Sequence, residues 1–150
     1  MDILTDGFDG TKLNADYYAR ALKSHCAFVR NFLLYDLQLR NTKAEYLNAA
    51  LGRAEGTDIL PVPGLEDAVF EEKPEVLSVL RMDDIIARER GLDDLLWNKA
   101  EELTRLNILD LDVVLATVAK IMITERWNKL DPAAGRELFR QLVQEIRNTR

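Results

Sequence analysis

From Asn14 to Leu51 the chain contains neither glycine nor proline, and Gly52 follows at once. Asn14 or Asp16 can cap a helix at the start of this run, and Gly52 can stop it. Placed at about 100° per residue, Tyr18, Leu22, Val29, Phe32, Leu33, Leu47 and Leu51 fall on one face. The pattern predicts a single helix of roughly 36 residues, about 54 Å at 1.5 Å rise. A helix of that length outruns a compact domain of 150 residues, so part of it is expected to project or to carry a partner.

Gly52 to Pro74 holds three glycines and three prolines and predicts a long connector, with one short helix near Leu65–Glu71. After it the helical signals return. Pro74 suits the first turn of a helix through Val76, Leu77, Val79 and Leu80. A short piece over Asp83–Arg90 is expected to end at Gly91. Leu92, Leu95, Leu96, Leu103 and Leu106 then make a helical stripe, with Glu101 and Arg105 as an exposed i,i+4 pair. Asp110 can cap a helix over Leu111–Leu130, and Asp131-Pro132 opens a last one to about Arg147, with Leu138, Phe139, Leu142, Val143 and Ile146 inward. Leu111–Leu130 is apolar around most of its circumference, broken only by Thr117, Lys120 and Thr124, which predicts a buried central helix. Only Asp58–Val62 hints at a strand, and its proline argues against one. The expected fold is therefore an all-α helical bundle with one long N-terminal helix and a buried central helix near the C-terminal end. Residues 1–13 are expected to be a flexible tail or linker, and 14–150 one helical domain with its connector at 52–74.

Composition excludes several classes of chemistry. Twenty Lys/Arg against twenty-six Asp/Glu give a net charge of −6, without the basic field that nucleic-acid binding needs. One histidine and one cysteine exclude a zinc site of the usual type and an internal disulfide. No glycine-rich phosphate loop and no Glu-x-x-His motif occurs. The carboxylate doublets Asp83-Asp84, Asp93-Asp94 and Glu101-Glu102 fit solvated helix starts and faces. His25 and Cys26 are adjacent and point about 100° apart on a helix, which suits a packed histidine beside a small buried thiol, not a nucleophile and its base. The longest apolar stretch, Val113–Ile123, is short for a membrane span, and the N-terminus has no signal-peptide pattern. A cytoplasmic, non-catalytic protein is expected, with no cofactor and no direct membrane insertion.

One feature breaks the pattern. His25, Asp36, Arg40 and Lys43 fall in the middle of the apolar face of the first helix, where a charge must be paired or must face a partner. Glu125 and Arg126 occupy equivalent sectors of the helix over Leu111–Leu130. Asp36 and Arg40 are i,i+4 and can pair with each other; if the two helices cross, Asp36 would meet Arg126 and Arg40 would meet Glu125. The group then forms either a buried ionic lock fixing helix register or a charged patch for a partner protein. Trp127, between Arg126 and Asn128, fits a core anchor or an interface hot spot.

The stretch Leu33-Leu34-Tyr35-Asp36-Leu37-Gln38-Leu39-Arg40-Asn41 resembles the Asp-Leu-x-x-Arg-Asn-like segment of the V-type ATPase subunits called C in bacteria and archaea and d in eukaryotes. It is more similar still to a bacterial family found alongside such ATPases. Leu109-Asp110-Leu111-Asp112-Val113-Val114-Leu115-Ala116 and Ile123-Thr124-Glu125-Arg126-Trp127-Asn128-Lys129-Leu130-Asp131 look like that family's Asp-Leu-Asp helix opening and Arg-Trp helix end. The resemblance covers roughly residues 16–55 and 90–148. It implies a non-catalytic helical part of a rotary ATPase, or a companion of one, with V-type ATPase subunits as partners. Those subunits form a socket on the rotor ring from three helical repeats, of which only one is found here. On this resemblance the chain is expected to be a stalk or rotor-contact subunit or a fragment of one. Asp36, Arg40, Asn41, Arg126 and Trp127 match the motif. The competing expectation is a stand-alone adaptor that associates with itself through the first helix.

Overall fold

Tyr18 donates a hydrogen bond from its hydroxyl to Asp36 Oδ2 at 2.6 Å. Eighteen residues along a straight helix span about 27 Å, so the expected single long helix cannot be the fold. The computed structural model, which describes residues 13–61, 64–65, 69–105, 111–130, 135–137 and 140–141, divides it in two. Helix α1 covers Ala15–Leu22, and α2 covers Ala27–Leu51. Asn14 caps α1 by accepting from Tyr17 N at 2.8 Å.

The break at Lys23–Cys26 satisfies its polar groups locally. Ser24 Oγ accepts from Cys26 N at 3.3 Å, Arg30 Nη1 donates to the Ser24 carbonyl, and Cys26 adopts an extended conformation. A serine that offers the backbone an alternative partner weakens the helix at its own position. Burial supplies the rest, because folding back buries both Tyr17 and Tyr18 on α2. Each large apolar side chain so enclosed contributes about 1.5–3 kcal/mol. Gly52 ends α2 in the left-handed conformation at φ 63°, its N–H bonded to the Asn48 carbonyl, as expected for a glycine stop.

Helix α3 follows over Lys73–Leu80, α4 over Ile85–Thr104 and α5 over Leu111–Asn128, and the described residues 135–137 and 140–141 of the expected last helix are helical as well. Pro74 sits in the first turn of α3. Asp84 caps α4, accepting from Ile86 N and Ala87 N at 2.7 and 3.2 Å. Gly91 does not stop a helix; α4 runs straight through it. A Cβ built there would lie 2.7 Å from Val79 Cγ1, so this glycine permits close approach of α3 and α4. No strand occurs among the described residues, Asp58–Pro61 included, and the fold is an all-α bundle.

The central helix is α2, not the one over Leu111–Asn128. One side of α2 joins Phe28, Phe32, Leu33 and Leu37 to α1 and to Leu115, Ala116 and Ala119 of α5. The other places Tyr35 and Leu39 against Val76, Val79, Leu80, Leu92 and Leu95. By contrast, α5 buries one face only and leaves Leu111, Val114 and Ile121 more than half exposed. Its apolar circumference reflects an outer stripe of apolar side chains as well as an inner one.

The connector lies along α2, held by two asparagines seven residues apart. Asn41 Nδ2 donates to the Leu60 carbonyl at 3.1 Å while Leu60 N donates to Asn41 Oδ1 at 3.0 Å. Asn48 Nδ2 donates to the Thr57 carbonyl at 2.6 Å. Leu65 and Val69–Glu71, where a short helix was expected, are not helical. Residues 1–12 of the expected tail, 66–68 of that short helix, Leu106 and Asp110 lie outside the described residues, as do Leu138, Phe139, Leu142, Val143 and Ile146 of the expected last helix.

A candidate functional site at the junction of three helices

Of the groups predicted on the apolar face of the first helix, Asp36 and Arg40 pair with each other, Lys43 pairs with Glu89, and His25 is exposed. Asp36 is buried, and its Oδ2 accepts from both Tyr18 Oη at 2.6 Å and Arg40 Nε at 2.8 Å. Its partner is therefore the arginine one turn along its own helix, as the i,i+4 spacing allowed, and not Arg126. Arg126 Nη2 instead donates to Asp93 Oδ2 on α4, and Trp127 Nε1 donates to the same oxygen at 2.6 Å. Glu125 does not meet Arg40; it is exposed and pairs with Lys129 at 2.9 Å. Helix α4 supplies the acid instead: it packs on α5 and places Asp93 at the guanidinium.

The two pairs are neighbours all the same. Asp36, Arg40, Asp93 and Arg126 line one cavity of about 30 Å³ floored by Phe32, Leu33, Leu96 and Ile123, room for about one water. The Asp36 and Asp93 side chains are only 8% and 6% exposed, whereas those of Arg40 and Arg126 are 40% and 49% exposed. Arg90 adds a third guanidinium, 5.2 Å above the Trp127 ring. Lys43 closes the edge between α2 and α4 by pairing with Glu89 at 2.6 Å. The junction thus has acids beneath and arginines above.

The electrostatics follow from burial. Tyr18 is driven well above the ordinary tyrosine range by desolvation, then by the Asp36 charge. It remains a neutral donor. Burial pulls Arg40 down, but Asp36 and Tyr18 outweigh it and hold the guanidinium above its ordinary value. Two guanidinium forks flank one gap, so the arrangement can bind and orient an anion.

Other expected features resolve differently. Asn41 belongs to the connector clamp and lines a separate cleft of about 340 Å³ with Leu37, Leu60 and Phe70. His25 is exposed rather than packed, while Cys26 is half-buried with Sγ donating to Asp112 Oδ1 at 3.4 Å. Glu101 takes Lys120 of α5 at 2.7 Å and the Trp97 indole at 3.1 Å, not Arg105. Asp93 was the one site residue that the doublet reading missed. Its signal was present: it stands seven residues before the fully buried Ala100 and three before Leu96, on the inward side of the α4 stripe.

Among the described residues no helix is long and apolar enough to cross a membrane. No curated protein and no solved structure matches the chain. Residues 63–149 match the family model described as "Protein of unknown function (DUF2764)". That match corrects the resemblance to the V-type ATPase subunits C and d and to a bacterial companion family of such ATPases: of the short helical segments behind it, only those over 109–131 lie within the matched residues, and the family matched there is a different one. Since the match spans more than half of its length, the chain belongs to the DUF2764 family.

Proposed function

We propose that the protein is a non-catalytic helical interaction domain that meets a partner protein at the junction of α2, α4 and α5. The observation that carries this reading is the grouping of Arg40, Arg90, Arg126 and Trp127 at one surface, over counter-charges that are largely buried. Arginine and tryptophan are the residue types that most often dominate binding energy at interfaces. A cytoplasmic setting belongs to the same reading and rests on composition.

The test is site-specific photo-crosslinking in the native host. A benzoylphenylalanine placed at Asp94 or Glu125, both exposed beside the junction, should trap one discrete partner. The same probe at the exposed Ser78 of α3 should not. Equal trapping at all three positions, or none beside the junction, would count against the reading.

A second reading is self-association, favoured by the exposed stripe of Leu111, Val114 and Ile121 on α5. The spacing of these residues, with half-buried Val118 between them, is that of a helix–helix seam. Sedimentation equilibrium of the wild type and of Ile121→Asp distinguishes it: the wild type should dimerise and the variant should not.

A further inference from the structure

Each arginine at the junction spends one nitrogen on its own aspartate, Arg40 through Nε and Arg126 through Nη2. A guanidinium carries five N–H donors in a planar fork. The Arg40 Nη1 and Nη2 groups and the Arg126 Nε and Nη1 groups have no bond to another described residue. Both side chains border the same small gap, one from α2 and one from α5, with the Asp36 and Asp93 carboxylates beside them in its lining, so an incoming group must take the guanidinium edges that face away from those two acids. Arg90 has a ring contact with Trp127 but no ion pair among the described residues. We propose that this gap seats a carboxylate from a partner protein, an aspartate or glutamate side chain held between the Arg40 and Arg126 guanidiniums and flanked by Arg90.

Three observations favour one carboxylate over a polyanion. The gap holds about one water, which suits the edge of a planar group better than a tetrahedral phosphate. Arginine forks match carboxylate geometry with two parallel bonds. The surroundings carry Glu89, Asp94 and Glu125 on the same two helices, and the whole chain is at −6, so a nucleic-acid backbone would be repelled around the point of contact. A partner with an acidic side chain between basic ones complements both the gap and its rim.

This inference rests on the proposed interaction role and names the chemistry of the partner at that site. The probe is sodium glutarate, titrated into the full chain at constant ionic strength. The readout is the ¹H–¹⁵N signals of Arg40 Nε, Arg126 Nε and the Trp127 indole. Saturable shifts of all three are expected with glutarate and not with glutaramide. Arg40→Lys, which keeps the charge and loses the fork, should weaken binding about tenfold, as expected for losing one good charge-assisted contact. Arg90→Gln, at an exposed position, should weaken it by a smaller factor while leaving the fold intact. Absence of saturable shifts, equal shifts with glutaramide, an unchanged affinity in Arg40→Lys, or tighter binding of inorganic phosphate than of glutarate would each overturn the proposal. Discrete crosslinks beside the junction without glutarate shifts would leave the interaction role standing and remove only the carboxylate.

Discussion

Asp93 and Arg126 form an unequal pair, because the carboxylate is enclosed and the guanidinium is half in water. Truncating Arg126 leaves a buried charge with only the Trp127 indole for company, whereas truncating Asp93 lets the arginine turn outward. Arg126→Ala should therefore cost about 3–5 kcal/mol. Asp93→Asn should cost about 1–3 kcal/mol, a value nearer that of a charge-assisted hydrogen bond. Urea denaturation of the two variants checks the order, and equal costs would show that Asp93 is hydrated in solution. That a charge near Asp36 needed a partner was legible from its position among apolar neighbours. The pairing of Asp36 with Arg40 was legible too, from the i,i+4 spacing; that Arg126 turns to Asp93 instead of Asp36 was not, because it depends on where α4 packs.

At the level of elements, helices were legible wherever caps and periodicity agreed, as at Asn14, Gly52, Pro74 and Asp84. They were misread where one residue type serves two purposes. Gly91 carries the mark of a helix stop, yet its missing Cβ is needed against Val79. Gly91→Ala is expected to destabilise the protein by about 1–3 kcal/mol through overpacking, against a helix-propensity gain of about 1 kcal/mol. Val79→Ala in the same chain should remove that overpacking cost. Thermal unfolding of the two single variants and the double variant checks this, and a Gly91→Ala variant more stable than wild type would show that the helices can move apart freely. The break between α1 and α2 is the converse case. Ser24 and Cys26 are compatible with a helix in isolation and adopt the turn because Tyr17 and Tyr18 gain more by burial on α2.

Across the whole molecule, Lys99 ties the entry of α3 to α4, bonding Glu72 at 2.8 Å and Glu102 at 3.0 Å while lying 5.3 Å from the Tyr35 ring centre. The hydrogen bond from Lys99 holds the Glu72 carboxyl below the usual glutamate range. A lowered folded pKa means that this contact contributes its full stability above the ordinary glutamate value and loses it as pH falls through the lowered one. Glu72→Gln should thus remove part of the acid-side loss of stability, by less than about 1 kcal/mol because the pair is partly exposed. Denaturation midpoints at neutral and acid pH check the sign, and a variant with an unchanged acid slope would refute it.

The sequence by itself determined the helical class, most helix ends and the presence of misplaced charges on the first helix, since these depend on neighbours within a few residues. Only the tertiary structure decided that the long run folds back at Lys23–Cys26, that α2 rather than α5 lies at the centre, and that Asp93 holds Arg126. Each depends on burial and pairing between residues far apart in the chain, whose energies outweigh local preference only once the helices have packed.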